Sequence, residues 1–267
     1  MKAQSDKAAR FLSLHRPGEP LRMANVYDAG SAKAIAALGF AALATTSSGF
    51  AQTLGRLDGS VTREEALTHS AAIVAATDLP VSADLENCFA HDPAGVGETI
   101  RGAIASGLAG GSIEDFTGNA DDPIYAFDDA VARVAAAADA ADGFVLTARC
   151  ENLLHGRDDL DDTIARLQAY ERVGADVLFA PGLRAPEDIA RVVSSVSLPV
   201  NVLVGPGRPT VAEIAKLGVA RTSVGGAFAF VALGAAVEAA TELLEDGTYT
   251  SLERAATGIR AARSAFR

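Results

Sequence analysis

The segment PVSADLENCF, residues 80–89, ends an apolar run on two carboxylates two residues apart, Asp84 and Glu86, and GGSIEDF, residues 110–116, supplies a third, Glu114, about one repeat later. Alternate side chains of an extended strand share a face, so Asp84 and Glu86 point the same way, as do Ser112 with Glu114 and Thr147 with Arg149. Carboxylates gathered in a partly dry cleft repel one another and take up protons unless a cation neutralises them. Singly, each acid would more simply pair with an arginine or cap a helix. Three at equivalent strand ends favour a hard divalent ion, and Mg²⁺, which keeps several waters and takes few direct carboxylates, fits best. The cluster contains no histidine, which disfavours zinc.

Such a cluster needs a scaffold that brings many strand ends to one rim. Short apolar segments recur at 24–28, 41–48, 79–86, 110–116, 143–152, 175–182, 198–205 and 220–226, with helical segments between them. About eight βα repeats predict a parallel sheet closed into a (β/α)8 barrel of the TIM type, with residues 1–267 forming one domain. Ser31 is placed to cap a helix, Thr62 and Glu65 have capping-box spacing, and 163–172 alternates at helical period. Phrases such as AALGFAAL and AKLGVARTSV put a glycine at the helix C-terminus before the next strand. A doubly wound sheet is the rival fold, but the first turn reads DAGSAKA and lacks its glycine fingerprint. Beyond the last strand, 235–245 and 251–265 read as extra C-terminal helices. The apolar stretch 224–237 reads as a strand end entering a buried helix, too short to span a bilayer.

Composition sets the partners. Half the chain is hydrophobic and 21% is charged, and a net charge of −11 makes nucleic acid and membrane surfaces poor partners. Two cysteines in 267 residues do not form a disulfide framework, and the N-terminus has no secretory pattern. A cytoplasmic setting follows most simply.

In a (β/α)8 barrel the chemistry sits at the C-terminal strand ends. That rule gathers Asp28, Ser47, Ser48, Asp84, Glu86, Glu114, Asp115, Arg149, Glu151 and Asn201. The run SSGFAQTLGRLDG (47–59), followed by PVSADLE, GGSIED and LTARCEN, resembles the isocitrate lyase and phosphoenolpyruvate mutase superfamily, in the same order over most of the chain. The resemblance implies that Asp84 binds Mg²⁺ directly and that Asp58, Glu86 and Glu114 hold metal-bound waters. It further implies that Ser48, beside Ser47 and with the amides of Gly49 and Phe50, receives a substrate carboxylate, and that Arg149 binds the oxygens of a 2-oxo acid. Small 2-oxo or 2-hydroxy carboxylate substrates are implied too, with making or breaking of C–C or P–C bonds. So is a homo-oligomer, a dimer or tetramer, that exchanges the C-terminal helices at 235–267.

The stretch DFTGNADDPIYAF, 115–127, departs from that family. It lacks the cysteine of the lyases and the lysine of the phosphonate enzymes, and only Asn119 weakly matches the latter. Isocitrate lyase activity is therefore disfavoured. The expectation is a Mg²⁺-dependent C–C lyase or decarboxylase working through a metal-stabilised enolate, a reaction that Arg149 can assist without a protein nucleophile. Besides Glu114, candidates for proton transfer are Tyr125, His155 and Glu151. The alternatives are a phosphonopyruvate-type P–C enzyme and a non-catalytic 2-oxo acid binder. VGPGRPT and SVGG, after the last two strands, also suit a phosphosugar enzyme, a minority reading. Cys150 should face the helices as packing, and Cys88 has no neighbour that would activate a thiolate.

Overall fold

The structure, a computed structural model, describes residues 4–266. Its strands are β1 Leu21–Arg22, β2 Ala24–Asn25, β3 Leu43–Ala44, β4 Val81–Asp84, β5 Gly110–Glu114, β6 Val145–Arg149, β7 Val177–Phe179, β8 Val200–Leu203 and β9 Arg221–Ser223. The helices are α1 Gln4–Ser13, α2 Ala29–Ala36, α3 Ser47–Thr53, α4 Arg63–Ala75, α5 Pro93–Ala105, α6 Phe127–Ala140, α7 Leu160–Arg172, α8 Pro186–Ser195, α9 Val211–Ala215, α10 Ala227–Glu245 and α11 Ala255–Ala265.

All pairings between these strands are parallel, in the order β1-β9-β8-β7-β6-β5-β4-β3-β2. The nine strands among the described residues occupy eight barrel positions, because the first strand is split at Met23. Its first half pairs with β9 and its second with β3, so the chain itself closes the seam. The architecture is a (β/α)8 barrel with additional C-terminal helices.

Strand period explains the layers. In β4, Val81 and Ala83 pack toward the helices with Leu85, Leu146, Leu178 and Val202 in the main core. The alternate residues of the strands give the barrel a polar interior that includes Asn25, Ser82, Ser112, Thr147, Asn201, Arg221 and Ser223, all buried. A second cluster joins Phe11 and Ala8 of α1 to Leu21, Ala109, Val145 and Val177, so an N-terminal helix stops the lower end of the barrel. A Cβ at Gly110 would lie 2.7 Å from the Val145 carbonyl oxygen and 3.0 Å from the Phe11 ring, so the plug approaches the sheet closely only because that residue is glycine.

Among the local expectations one holds and three change. Thr62 and Glu65 form the expected capping box of α4. For α2 the N-cap is Asp28, and Ser31 is its partner three residues on. The helix after the last strand is not buried: Ala229 is its one buried residue, while Phe230, Val231, Val237 and Leu244 are exposed. At 19 residues with a mean hydropathy of 1.7, α10 is also long and apolar enough, by length and composition, to cross a bilayer, contrary to the shorter span read from sequence.

Candidate active site

The strand ends of β4, β5 and β6 meet on one guanidinium. Register pairs Asp84 with Ser112 and Glu114 with Arg149, which brings the inward side chains of three adjacent strands together. Arg149 Nη1 donates to Asp84 Oδ1 at 2.8 Å and Nε donates to Glu151 Oε1 at 2.9 Å, while Nη2 lies 3.1 Å from Glu114 Oε2 and 2.8 Å from Glu151 Oε1. The free oxygen of Asp84, Oδ2, accepts from the Ser47 hydroxyl at 3.0 Å and the Ser47 amide at 3.2 Å. Burial works against the charge on Arg149, but Glu114, Glu151 and Asp84 around it more than compensate and raise its pKa.

One arginine does not balance this set. Burial lifts the Glu114 and Glu151 carboxyls above the usual range even though both face Arg149. Glu86 is pushed up to about 8 by burial first, then by the charges of Asp84 and Asp58. Asp58 stands on an exposed turn, yet crowding by surrounding atoms and then the charge of Asp84 push its carboxyl up as well. Among the described residues Glu86 Oε1 is buried and has no hydrogen-bond partner.

No three His, Cys, Asp or Glu side chains among the described residues are drawn into a ready-made ligand cage. Asp84, Glu114 and Glu151 converge on the Arg149 guanidinium instead.

Two cavities meet at Asp58. The barrel mouth encloses about 160 Å³, lined by Ser47, Ser48, Asp84, Arg149, Leu154 and Phe179 among others. A side cavity of about 1070 Å³ is lined by Glu86, His91, Glu114, Phe116 and Asn119. Along the side cavity the chain from Glu86 to Phe89 is bent sharply. Glu86, Cys88 and Phe89 have φ of 49°, 60° and 51°. Each non-glycine residue in that left-handed region costs roughly 1–2 kcal/mol.

Residues 11–244 match the family described as phosphoenolpyruvate phosphomutase. The chain belongs to that family. A crystal structure of a Burkholderia cenocepacia J2315 protein provisionally described as a lyase/mutase is 53% identical with a TM-score of 0.93, covering 97% of this chain and 95% of that one. The 2,3-dimethylmalate lyase of Eubacterium barkeri is 30% identical over 239 residues, 83% of this chain and 81% of its own. Oxaloacetate acetylhydrolase, in complex with its product oxalate, is 25% identical with a TM-score of 0.86 over 98% of this chain and 94% of its own. The superfamily thus holds lyases and related enzymes of small carboxylic acids.

Within this family member, the residues expected at the site divide. Asp58, Asp84, Glu114 and Arg149 face the two cavities together with Ser47, Ser48 and Glu86. The amides of Gly49 and Phe50 are engaged in the first turn of α3, the former to Thr46 Oγ1 at 3.4 Å and the latter to the Thr46 carbonyl at 3.0 Å. The Phe50 ring turns out of the mouth and stacks on His69 at 3.7 Å.

Asn201 lies below the site. Its amide is taken up by Arg221 Nε at 3.0 Å and by Ser223 Oγ at 2.9 Å, so it braces the barrel interior rather than facing substrate. Tyr125 is displaced too. Its hydroxyl meets His91 Nδ1 at 2.9 Å, its backbone is held by Asp115 and Arg166, and its ring lies under Arg133, which carries it away from the mouth.

His155 stacks on Phe116 at 4.0 Å with Nε2 3.8 Å from Glu151 Oε2, and burial lowers its pKa. Cys88 and Cys150 are buried in the core, and burial pushes the Cys88 thiol up to about 12. Asn25 was missed from the sequence. Its side chain donates to the Thr45 carbonyl and accepts from the amides of Val224 and Gly225, tying β2 to the loop after β9. A polar residue on an inward strand position was the available signal.

Proposed function

We propose that this protein is a Mg²⁺-dependent enzyme that breaks a C–C bond of a small 2-oxo or 2-hydroxy carboxylate, by lysis or decarboxylation. The observation that carries the reading is Glu86 Oε1, buried without a partner beside Asp84 and Asp58, in a set of acids that one arginine cannot neutralise. An all-oxygen donor set of this charge suits Mg²⁺, with Asp84 as its direct ligand and Asp58, Glu86 and Glu114 holding its waters. When bound, the ion would polarise the carboxylate and oxo oxygens of the substrate and share the negative charge that develops as the bond breaks.

The chain's own groups account for the rest. Arg149 presents its guanidinium to the mouth cavity, where it can hold the same oxygens by charge-assisted hydrogen bonds. The Ser48 hydroxyl, at the positive end of α3, suits a substrate carboxylate, while the Ser47 hydroxyl is given to Asp84. Leu154, Phe179 and Pro181 narrow the cavity and displace water. Glu151 Oε2, facing His155 Nε2, is the site we assign to carry the proton that the product carbon takes up. The stretch 115–127 offers no Cys, Lys or His, consistent with a reaction that needs no protein nucleophile.

The exposed apolar face of α10 fits a cytoplasmic homo-oligomer in which another copy of the chain covers the C-terminal helices. Turnover of oxaloacetate and of related 2-oxo and 2-hydroxy diacids, with Mg²⁺ and with chelator, tests the proposal. Mg²⁺-dependent turnover supports it. Binding of pyruvate or 2-oxoglutarate without any turnover would establish a binding protein instead, and turnover of phosphonopyruvate alone would move the chemistry to the P–C bond.

A further inference from the structure

Arg133 is a buried arginine without a carboxylate. It projects from α6, is 2% exposed, and has no ion pair among the described residues. Its Nη2 donates to the Asn87 carbonyl at 2.5 Å and its Nη1 to the Ala90 carbonyl at 2.8 Å, while Nε is buried with no partner. The Tyr125 ring lies 4.2 Å below the guanidinium, and His91 holds the Tyr125 hydroxyl.

The two carbonyls belong to the strained bend that follows Asp84. Glu86, Cys88 and Phe89 all occupy the left-handed region with no glycine among them, so local preference works against this backbone. It persists only if its surroundings hold it. Local contacts hold parts of it: the Glu114 amide donates to the Glu86 carbonyl at 3.1 Å, the Cys88 amide to the Leu85 carbonyl at 2.7 Å, the Phe89 amide to Asn87 Oδ1 at 3.0 Å, and Thr99 Oγ1 to the Cys88 carbonyl at 2.6 Å. Each ties one point of the bend, at its start or its middle. Arg133 spans it, fixing carbonyls on either side of Cys88 and Phe89. The Glu86 side chain leaves the chain at the start of this bend, and it lines the side cavity together with Asp58.

We propose that Arg133 is the positioning residue of the acid site. By clamping the 86–90 backbone from behind, it holds the Glu86 carboxylate against Asp84 and Asp58 for cation binding, without itself touching cation or substrate. Only a planar fork reaches both carbonyls at once, so lysine is not an equivalent replacement. This role rests on the proposed function for its cation.

The test is direct Mn²⁺ titration by calorimetry of the wild type, Arg133→Lys, Glu86→Gln and the double variant, with amide hydrogen exchange of residues 86–90 recorded in chelator. Arg133→Lys should weaken Mn²⁺ binding about 10- to 100-fold and speed exchange at 86–90, with the far-UV spectrum unchanged. In the Glu86→Gln background it should weaken binding no further, since an effect carried by Glu86 cannot be lost twice. Unchanged Mn²⁺ affinity in Arg133→Lys overturns the assignment, and so does an equal loss with and without Glu86.

If the wild type takes up no Mn²⁺, the metal reading fails, and exchange alone decides whether Arg133 clamps the bend: unaltered protection at 86–90 overturns it. Should Arg133→Lys not fold, Arg133→Met, which keeps a buried stem of similar length but neither hydrogen bond, is read by the same criteria.

Discussion

Glu114 and Asp115 are neighbours in sequence and serve opposite ends. Glu114 points into the barrel mouth toward Arg149, whereas Asp115 points out to Arg166 in the layer between sheet and helices. Around Asp115 each donor has a place: Arg166 Nη1 at 3.2 Å, the Tyr170 hydroxyl at 2.7 Å and the Glu151 amide at 2.7 Å, with Asp162 taking Arg166 Nε at 2.8 Å. Around Arg149 three carboxylates share one positive charge, and Glu86 is left over. Both networks contain an arginine and several acids. A closed network specifies a fold, while one with surplus charge of one sign is shaped for something that arrives later.

Substitutions should separate the two. Asp84→Ala should remove metal-dependent turnover, by roughly a thousandfold or more, since metal stabilisation of developing charge is worth several kcal/mol. It should leave the thermal melt in chelator close to wild type. Full activity of that variant in chelator would remove the cation from the chemistry. Asp115→Ala should act the other way, destabilising the fold by about 3–5 kcal/mol in urea unfolding, because it leaves the buried Tyr170 hydroxyl and Glu151 amide without an acceptor and takes from Arg166 one of its two carboxylates. A loss below 1 kcal/mol would mean that the network is not closed. Arg149→Ala should weaken substrate binding by about 1.5–3 kcal/mol, and unaltered affinity would take Arg149 out of the site.

The pH response distinguishes the networks without mutation. Glu86 has a folded pKa near 8 against an ordinary value of 4.5, so between these values the folded state holds a proton that the unfolded chain has lost. The stability of the metal-free protein should therefore fall as pH rises from about 4.5 to 8, and Glu86→Gln should flatten that slope. Mg²⁺ should offset the fall by favouring the ionised carboxylate. A slope that is the same in the variant would assign it to other acids. The smallest effect belongs to Tyr125→Phe. Loss of its bond to His91 should cost about 1 kcal/mol of stability and leave the pH profile of turnover in place, whereas a lost acidic or basic limb would restore Tyr125 as a proton donor.

Much of the barrel is legible in the sequence, because strand and helix periods repeat and glycine stops mark the turns. The acids of β4 and β5 stand out for the same reason: a charged residue at the end of an apolar strand has few local explanations. Asn201 follows the same pattern and misleads, because strand period gives a face of the sheet but not a depth within the barrel. Tyr125 misleads in another way, since a loop of twelve residues can point a side chain in many directions and only Asp115, Arg133 and Arg166 fix this one. Arg133 carries no sequence signal beyond a charge within an alanine-rich helix. Exposure of α10 is equally invisible, since an apolar helix reads the same whether its own core or another molecule covers it.

The sequence by itself determined the βα alternation, the closure into a barrel and the identity of the acids that share a rim, because these depend on periodicities of two and 3.6 residues within single elements. Only the tertiary structure decided which acids Arg149 neutralises, which one remains without a partner and which backbone bend carries it. Electrostatic balance and left-handed strain depend on contacts such as Arg149 with Asp84 and Arg133 with Asn87, 65 and 46 positions apart, and no local pattern encodes those.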